Sequence, residues 1–489
     1  MQILISIREF LATPALIVGL VTLLGLVLQK KPLEQIVKGV VTAIIGFVIL
    51  DMGADFLQNE PLYDFGILFN FVFHIQGIVP NMEAVSSIGI SQFASEISMV
   101  MLFGMIANLI MAKFGPFHYI FLTGHHTMYM ACLLTIVLEA LGMSEWRIIF
   151  CGALILGLLM ALMPFLASKE MKKITGNEAI ALGHFSTVGY ILAAKIAWLV
   201  TRRNYWQAEK QKDTSVSGEA VTEKKSKGLL RSAEEMQFPL KLSFMRDTNV
   251  GIFLVMTSMF LILTGTAYYR AGFADLDISY FSDSYSNWCI YALIEGAKFS
   301  AAIYIILAGV RLIIAEIVPA FKGISRKMVP DAKPAVDCPV LFSYAPNAVM
   351  IGFLCSFLGG LVMMFIMKWL SMQNETMFYV IVPGMVAHFF CGGTAGVFAN
   401  AEGGIKGCVI GSFVHGMLIS ALSFLVLTAL GTVSMMGTTF SDTDFCVTGI
   451  ILGKLGELLS TEGIMALTIF LFLLPIFGTQ MQKKKKSEI

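Results

Sequence analysis

Long apolar segments follow one another along the chain, separated by short polar connections. A helix needs about 20 apolar residues to cross a membrane. The pattern therefore predicts 11 transmembrane helices, over residues 11–28, 36–56, 93–113, 119–141, 147–167, 249–268, 289–315, 346–369, 376–393, 406–430 and 461–479. Shorter or broken apolar pieces at 64–80, 179–200 and 442–459 are more typical of re-entrant hairpins or interfacial helices.

The composition agrees with an all-α polytopic membrane protein. Hydrophobic residues make up 57% of the 489 residues and charged residues only 14%, against roughly 25% charged residues in soluble proteins. Too few polar residues remain to cover a soluble surface, which excludes a cytosolic enzyme, a secreted disulfide scaffold and a disordered chain. The eight cysteines form no CxxC pair, so we expect neither a zinc site nor a disulfide framework. The net charge of +1 indicates no nucleic-acid partner.

Basic residues are concentrated in a few of the connections. With 11 crossings these clusters all fall on one side of the membrane, which the positive-inside rule makes the cytoplasmic side. The N-terminus is then outside and the C-terminus inside. The clusters lie at 30–38, 169–173, 202–246, 322–333 and 483–486.

One polar stretch divides the chain into two halves. Residues 202–245 contain few apolar side chains and predict a cytoplasmic linker. A first transmembrane repeat then covers 1–201, a second covers 246–482, and a basic tail covers 483–489. Each half contains a Val-Pro turn after two predicted spans, Val79-Pro80-Asn81 and Val329-Pro330-Asp331. Five spans precede the linker, and an odd number inverts the topology of a second copy, as in many transporters.

A run of polar residues, Thr123-Gly-His-His-Thr-Met-Tyr129, begins the predicted fourth span. Polar groups inside spans are costly and mark functional sites. His125 and Tyr129 are four residues apart and share a helix face, and both side chains can donate to and accept from hydroxyl groups. Two other interpretations stay open: metal ligation with His126 and His184, and histidines that bond to neighbouring helices.

Three further clusters interrupt the apolar pattern. His184 follows Gly183 in a hairpin-like segment, and Asp337 opens a proline-rich stretch that runs to Asn347. Asp337 is expected to bind a substrate hydroxyl pair, or to pair with Lys333 or a helix N-terminus. Glu83 follows the corresponding turn of the first half. The segment 391–404 carries five glycines, which indicate a close helix contact or a half-helix facing the substrate.

These motifs resemble a known family, the L-ascorbate-specific membrane permeases, which are IIC components of the bacterial phosphoenolpyruvate-dependent phosphotransferase system. The resemblance covers essentially the whole chain in order and spacing. It rests on Leu122-Thr-Gly-His125, Gly183-His184, Phe321-Lys-Gly-Ile-Ser-Arg-Lys-Met-Val-Pro330, Ala335-Val-Asp-Cys338, Ser343-Tyr-Ala-Pro-Asn-Ala-Val349 and Gly396-Val-Phe-Ala-Asn400.

The resemblance implies a multi-pass protein of the bacterial inner membrane with two inverted-topology repeats and re-entrant hairpins. It also implies a core domain that carries the carbohydrate in an elevator-like step, and a V-shaped domain that forms a homodimer. The substrate is then phosphorylated by a separate cytoplasmic IIB protein, which works with IIA. No cofactor, metal or catalytic residue is expected on this chain, so whether the transport subunit counts as an enzyme stays open. The family's substrate-contacting positions correspond to His125, His184 and Asp337.

Three positions depart from the family pattern. Tyr129 and Phe185 stand where ascorbate permeases carry glutamine, and Glu83 stands where the family has tyrosine. An added carboxylate disfavours an anionic substrate, so we hypothesise a preference for a neutral sugar or polyol. The alternative function is an ion-coupled secondary transporter of a small polar solute. The predicted substrate-binding residues are His125, His184, Asp337, Glu83, Thr123, Tyr129, Phe185 and Asn347.

Overall fold

The computed structural model describes residues 13–73, 78–80, 82–213, 231–236, 248–271, 287–327, 329, 332–373, 380–430 and 438–487. Helices dominate this part of the chain. The first half contains α1 Pro14–Leu28, α2 Leu33–Leu57, α3 Tyr63–Phe73, α4 Met82–Phe114, α5 Gly124–Ala140, α6 Glu145–Thr175 and α7 Thr187–Asp213. The second half contains α8 Thr248–Ala271, α9 Trp288–Lys327, α10 Pro346–Gln373, α11 Gly393–Val426, α12 Thr443–Leu458 and α13 Thr461–Ser487.

Short non-α elements connect these helices. Two are π-helical turns, Gln58–Leu62 before α3 and His388–Gly392 before α11. Three in the described part of the chain are 3-10 turns, Ala233–Glu235 in the linker, Cys338–Ser343 before α10 and Leu427–Ala429 after α11. The strands are β1 Val79–Pro80, β2 Tyr119–Phe121, β3 Ala181–Leu182, β4 Lys333–Val336 and β5 Thr438–Thr439.

Five helical segments in the described part of the chain are long and apolar enough to cross a membrane. They are Ser95–Phe114, Glu145–Thr175, Pro346–Leu370, His388–Ala429 and Thr461–Gln482. Each overlaps a span predicted from the sequence, which supports a protein that crosses the membrane several times. The total of 11 crossings stays a prediction.

The structure departs from the predicted span at 376–393. Residues 380–384 are extended rather than helical, because Ile381 bridges to Ile78 and Pro383 lacks the N–H that a helix interior needs. The glycine-rich segment that follows lies mostly within α11. At Gly404 this helix is kinked by a positive φ of 59°, a conformation that glycine adopts without the steric cost of a side chain.

Small residues bring α10 and α11 into close contact. A Cβ atom at Gly396 would overlap the carbonyl oxygen of Ala348, and one at Gly352 would lie 2.5 Å from the carbonyl oxygen of Gly392. Real side-chain carbons do not approach so closely, so only glycine permits this helix spacing. The glycine-rich segment thus combines a close helix contact at Gly396 with a helix break at Gly404.

Two small parallel sheets hold the halves of the chain together. In the first, β4 of the second half lies between β2 and β3 of the first half. In the second, β1 of the first half pairs with β5, while Ile78 beside it bridges to Ile381. In both sheets, strands of the first half therefore pair with a strand of the second half.

Candidate functional site

Three predicted site residues follow the three strands of the first sheet. His125 comes four residues after β2, His184 two residues after β3, and Asp337 directly after β4. The carboxyl ends of parallel strands meet at one edge of a sheet, and ligand sites of parallel sheets commonly lie beyond that edge. The pairing of Phe121 and Ala181 with Ala335 brings the three side chains to one place.

Hydrogen bonds extend this arrangement beyond the strands. The Leu122 N–H donates to the Ala335 carbonyl over 2.9 Å, and the Gly183 N–H donates to the Val336 carbonyl over 2.7 Å. The Thr123 hydroxyl donates to the Gly183 carbonyl over 2.5 Å. Thr123 is buried, so it fixes the two chain segments that carry His125 and His184.

Asp337 lies between two imidazole rings. Its Oδ2 is 3.5 Å from Nε2 of His125, and its Oδ1 is 3.9 Å from Nε2 of His184. Oδ1 also accepts a hydrogen bond of 2.7 Å from the Cys338 N–H, which fixes the carboxylate. The side chains of His125 and Asp337 are 24% and 17% exposed, whereas that of His184 is 3% exposed. A ligand can therefore reach His125 and Asp337 directly, with His184 behind them.

The second ring nitrogen of His184 is held by a buried phenol. Nδ1 lies 3.0 Å from the hydroxyl of Tyr190, which has no exposed surface on α7. When the hydroxyl donates to Nδ1, the proton of the neutral imidazole resides on Nε2, which faces the carboxylates. Tyr190 thus sets the orientation of the His184 ring.

Asp442 and His126 also belong to this cluster; the sequence indicated His126 only as a possible metal ligand and did not indicate Asp442. Asp442 Oδ2 is 3.9 Å from Nε2 of His184, and the ring centroid of His126 is 3.9 Å from that of His184. Asp442 lies in Ser-Asp-Thr-Asp, residues 441–444, a polar run at the start of an apolar segment. This polar run lies just after β5, in the same way that Gly183-His184 lies just after β3. The polar residues within an otherwise apolar segment are the signal that could have revealed Asp442.

Asp444 fixes the start of α7 next to His184. Its Oδ2 accepts the Thr187 N–H over 2.8 Å, and its Oδ1 accepts the Val188 N–H over 3.0 Å. These N–H groups belong to the first turn of α7, where no intrahelical partner exists. The side chain of Asp444 is 1% exposed, so this carboxyl group acts as a buried helix cap.

The other predicted site residues have different surroundings. The ring of Tyr129 is 5.9 Å from that of His125. Phe185 is fully buried and stacks on Phe121 at 4.6 Å. Asn347 donates from Nδ2 to the Ala233 carbonyl over 3.2 Å and thus contacts the linker. Glu83 is the second residue of α4, and its side chain lies outside the described residues.

The same cluster offers three sets of potential metal ligands. Within each set the donor atoms lie within 4.8 Å of one another. Small side-chain movements would bring them to the shorter distances at which they could share a divalent cation. The same imidazole and carboxylate atoms can equally bind the hydroxyl groups of a sugar. The sets are His125, His126 and Asp337; His126, His184 and Asp442; and His184, Asp337 and Cys338.

Comparison with known proteins identifies the family. The sequence profile described as PTS system sugar-specific permease component matches residues 9–444, where PTS is the phosphotransferase system. The chain belongs to this family. Membership confirms the resemblance seen in the sequence, and together with the five long apolar helices it indicates a multi-pass membrane protein.

One relative carries a more specific name. The "Ascorbate-specific PTS system EIIC component" of Mycoplasma pneumoniae is 26% identical over 475 residues, which cover 87% of this chain. The matched region covers 66% of the relative, so this chain spans about two thirds of the length of that protein.

Proposed function

We propose that this chain is the membrane permease subunit of a sugar phosphotransferase system. It binds L-ascorbate or a related carbohydrate or polyol, carries it across the membrane, and presents it to a separate phosphorylated IIB protein supplied by IIA. The observation that carries this proposal is the cluster of His125, His184 and Asp337 at one edge of the first sheet, reachable through two partly exposed side chains. The ascorbate specificity in the name of the Mycoplasma relative supports the substrate class.

The chemistry of the cluster suits a polyhydroxylated ligand. The two oxygens of Asp337 can accept hydrogen bonds from neighbouring hydroxyl groups, while Nε2 of His125 can donate to or accept from a third. A site that is built to hydrogen-bond hydroxyl groups discriminates strongly, because a ligand without them leaves the polar groups of the site unpaired. Tyr190 contributes by holding His184 in the orientation that faces this ligand.

The proposed architecture has 11 crossings in two inverted-topology repeats with re-entrant hairpins. The pairing between the two halves supports it, because β1 contains the first Val-Pro turn, β4 follows the second, and each pairs with strands of the other half. The remaining parts of the proposal are a homodimer formed by a V-shaped domain and an elevator-like movement of the core domain. The N-terminus lies outside and the C-terminus in the cytoplasm, as the basic clusters favour.

Within this substrate class we favour a neutral sugar or polyol. A carboxyl group outside the family's substrate-contacting positions, that of Asp442, lies 3.9 Å from Nε2 of His184, and its negative charge opposes an anion such as ascorbate. Phe185 packs in the core against Phe121, so the family's glutamine is replaced there by a group without hydrogen-bonding atoms. Calorimetric titration with ascorbate and a panel of pentitols tests this preference. Tight binding of ascorbate and weak binding of all pentitols would contradict it.

The decisive experiment measures uptake by vesicles that contain the purified protein. We expect uptake to require phosphoenolpyruvate and the soluble phosphotransferase proteins. His125→Ala and Asp337→Ala should each reduce uptake at least about tenfold, the loss expected for one buried, charge-assisted hydrogen bond. Lys454→Ala removes an exposed charge on α12 and serves as the control. Normal uptake by both site variants would refute the site, and uptake driven by a proton or sodium gradient alone would favour an ion-coupled transporter.

A further inference from the structure

A second polar pocket lies at the opposite ends of the strands that lead to the substrate site. Tyr119, Ala181 and Lys333, the first residues of β2, β3 and β4, line its floor. Its walls come from the end of α6 and the following loop, including Lys169 and Lys172. Two basic regions that are separate in the sequence, 169–173 and 322–333, thus converge on one cavity.

The pocket already holds an anionic group. Glu178 accepts a hydrogen bond from Lys172 at Oε1 and another from Lys333 at Oε2, both over 2.7 Å. These two ammonium groups lower the pKa of Glu178 to about 2, so its carboxylate stays charged. A third cation, Lys169, has no ion-pair partner among the described residues. The pocket therefore carries three positive charges against one negative charge.

The loop that forms the pocket is fixed before any ligand binds. Gly176 ends α6 with a φ of 73°, and its N–H donates to the Lys172 carbonyl over 3.0 Å. The side chain of Asn177 then accepts the Ala179 N–H over 2.8 Å. An anion that enters meets a loop whose backbone is already ordered, so little backbone entropy is lost on binding.

The size of the cavity limits what it can hold. Its volume is about 160 Å³, whereas pockets for drug-sized ligands span roughly 300–1,000 Å³. A phosphate group fits this volume. Lys333 precedes Asp337 by four residues of extended chain, which corresponds to about 13 Å. An anion in the pocket therefore does not touch a substrate held by Asp337.

We propose that this pocket binds the phosphate group of a soluble phosphate monoester, and that the Glu178 carboxylate takes the place of that phosphate when the ligand is absent. Lysine ammonium groups bind phosphate as point charges. Incoming phosphate displaces Glu178 and is then held by Lys169, Lys172 and Lys333. The inference rests on the proposed function only for the source of the ligand, since the transported sugar leaves that reaction as a phosphate monoester.

Titration of the purified full-length protein with inorganic phosphate tests the pocket by calorimetry, without any transport. Lys169→Gln removes a cation and should weaken phosphate binding about tenfold. Glu178→Gln removes the competing carboxylate and should tighten phosphate binding by a similar factor. The exposed pair Lys454 and Glu457 on α12 provides matched controls, and Lys454→Gln and Glu457→Gln should leave phosphate binding unchanged.

Phosphate affinity should change in opposite directions in Lys169→Gln and Glu178→Gln, and this distinguishes a binding site from a structural ion-pair network. Loss of phosphate binding in both variants, or no measurable binding by the unaltered protein, would overturn the proposal. A second arm uses nanodiscs of phosphatidylglycerol or phosphatidylcholine with glycerol phosphate as the soluble ligand. Lys169-dependent binding of glycerol phosphate in both lipids supports a soluble monoester, whereas a dependence on anionic lipid without such binding overturns it. Phosphate binding that persists in His125→Ala would show that the phosphate pocket does not depend on the substrate site, so that either proposal can be refuted without the other.

Discussion

The carboxyl group of Asp444 provides the sharpest test of how the site is held together. It accepts the N–H groups of Thr187 and Val188 over 2.8 and 3.0 Å and thereby joins the start of α12 to the start of α7. Asp444→Ala removes both acceptors and leaves two helix N-terminal donors without a partner. Because Thr187 is fully buried, water cannot replace the lost oxygen there.

The expected loss follows from these two contacts. A buried donor that loses its partner costs about 1–3 kcal/mol, so with two donors Asp444→Ala should lower the free energy of unfolding by about 2–6 kcal/mol. In Asp444→Asn one oxygen remains as an acceptor, while the new amide group faces the other N–H as a second donor. This variant should therefore lose about half as much stability.

The assay is equilibrium unfolding of the purified protein in mixed micelles, followed by tryptophan fluorescence. The matched control is Glu457→Ala, which removes a carboxylate from the exposed pair with Lys454 and should cost no more than about 1 kcal/mol. We expect the loss of unfolding free energy to be smallest in the control, intermediate in Asp444→Asn and largest in Asp444→Ala. An Asp444→Ala variant within about 0.5 kcal/mol of the control would refute the capping role.

Three further predictions concern the surroundings of the site. Tyr190→Phe removes the hydroxyl that holds His184 and should weaken substrate binding about fivefold to a hundredfold in calorimetry, whereas Tyr291→Phe, which removes a hydroxyl bonded to a distant carboxyl group, should leave it unchanged. The pKa of Glu178 is lowered to about 2 from 4.5, so its ion pairs stabilise the protein fully above about pH 5 and lose this effect as the pH falls toward 2. The difference in melting temperature between the unaltered protein and Glu178→Gln should therefore shrink between about pH 5 and about pH 2. A difference that stays constant over this range would contradict the ion pairs. Ala233 is fully buried where the linker meets Asn347, so Ala233→Arg should release the segment 231–236 and expose it to protease, with unchanged cleavage refuting this docking.

The sequence by itself determined the membrane class and indicated the polar residues of the proposed site. Apolar segments of membrane-spanning length fix the class, because lipid leaves backbone groups no partner outside a helix or a closed barrel. His125, His184 and Asp337 were identifiable because polar side chains within apolar segments are costly to bury and usually have a function. The motifs around them also indicated the permease family, which the match over residues 9–444 confirms.

Only the tertiary structure decided how these residues meet. Strand pairing joins segments more than 200 residues apart, as between Phe121 and Ala335, and periodicity along the chain does not reveal such partners. The same limit hid Asp442, which reaches His184 only because α12 packs beside the start of α7. It also hid the contact of Asn347, a predicted substrate-binding residue, with the linker at Ala233. Local pattern specifies which groups are costly to bury, whereas long-range pairing specifies which of them share a site.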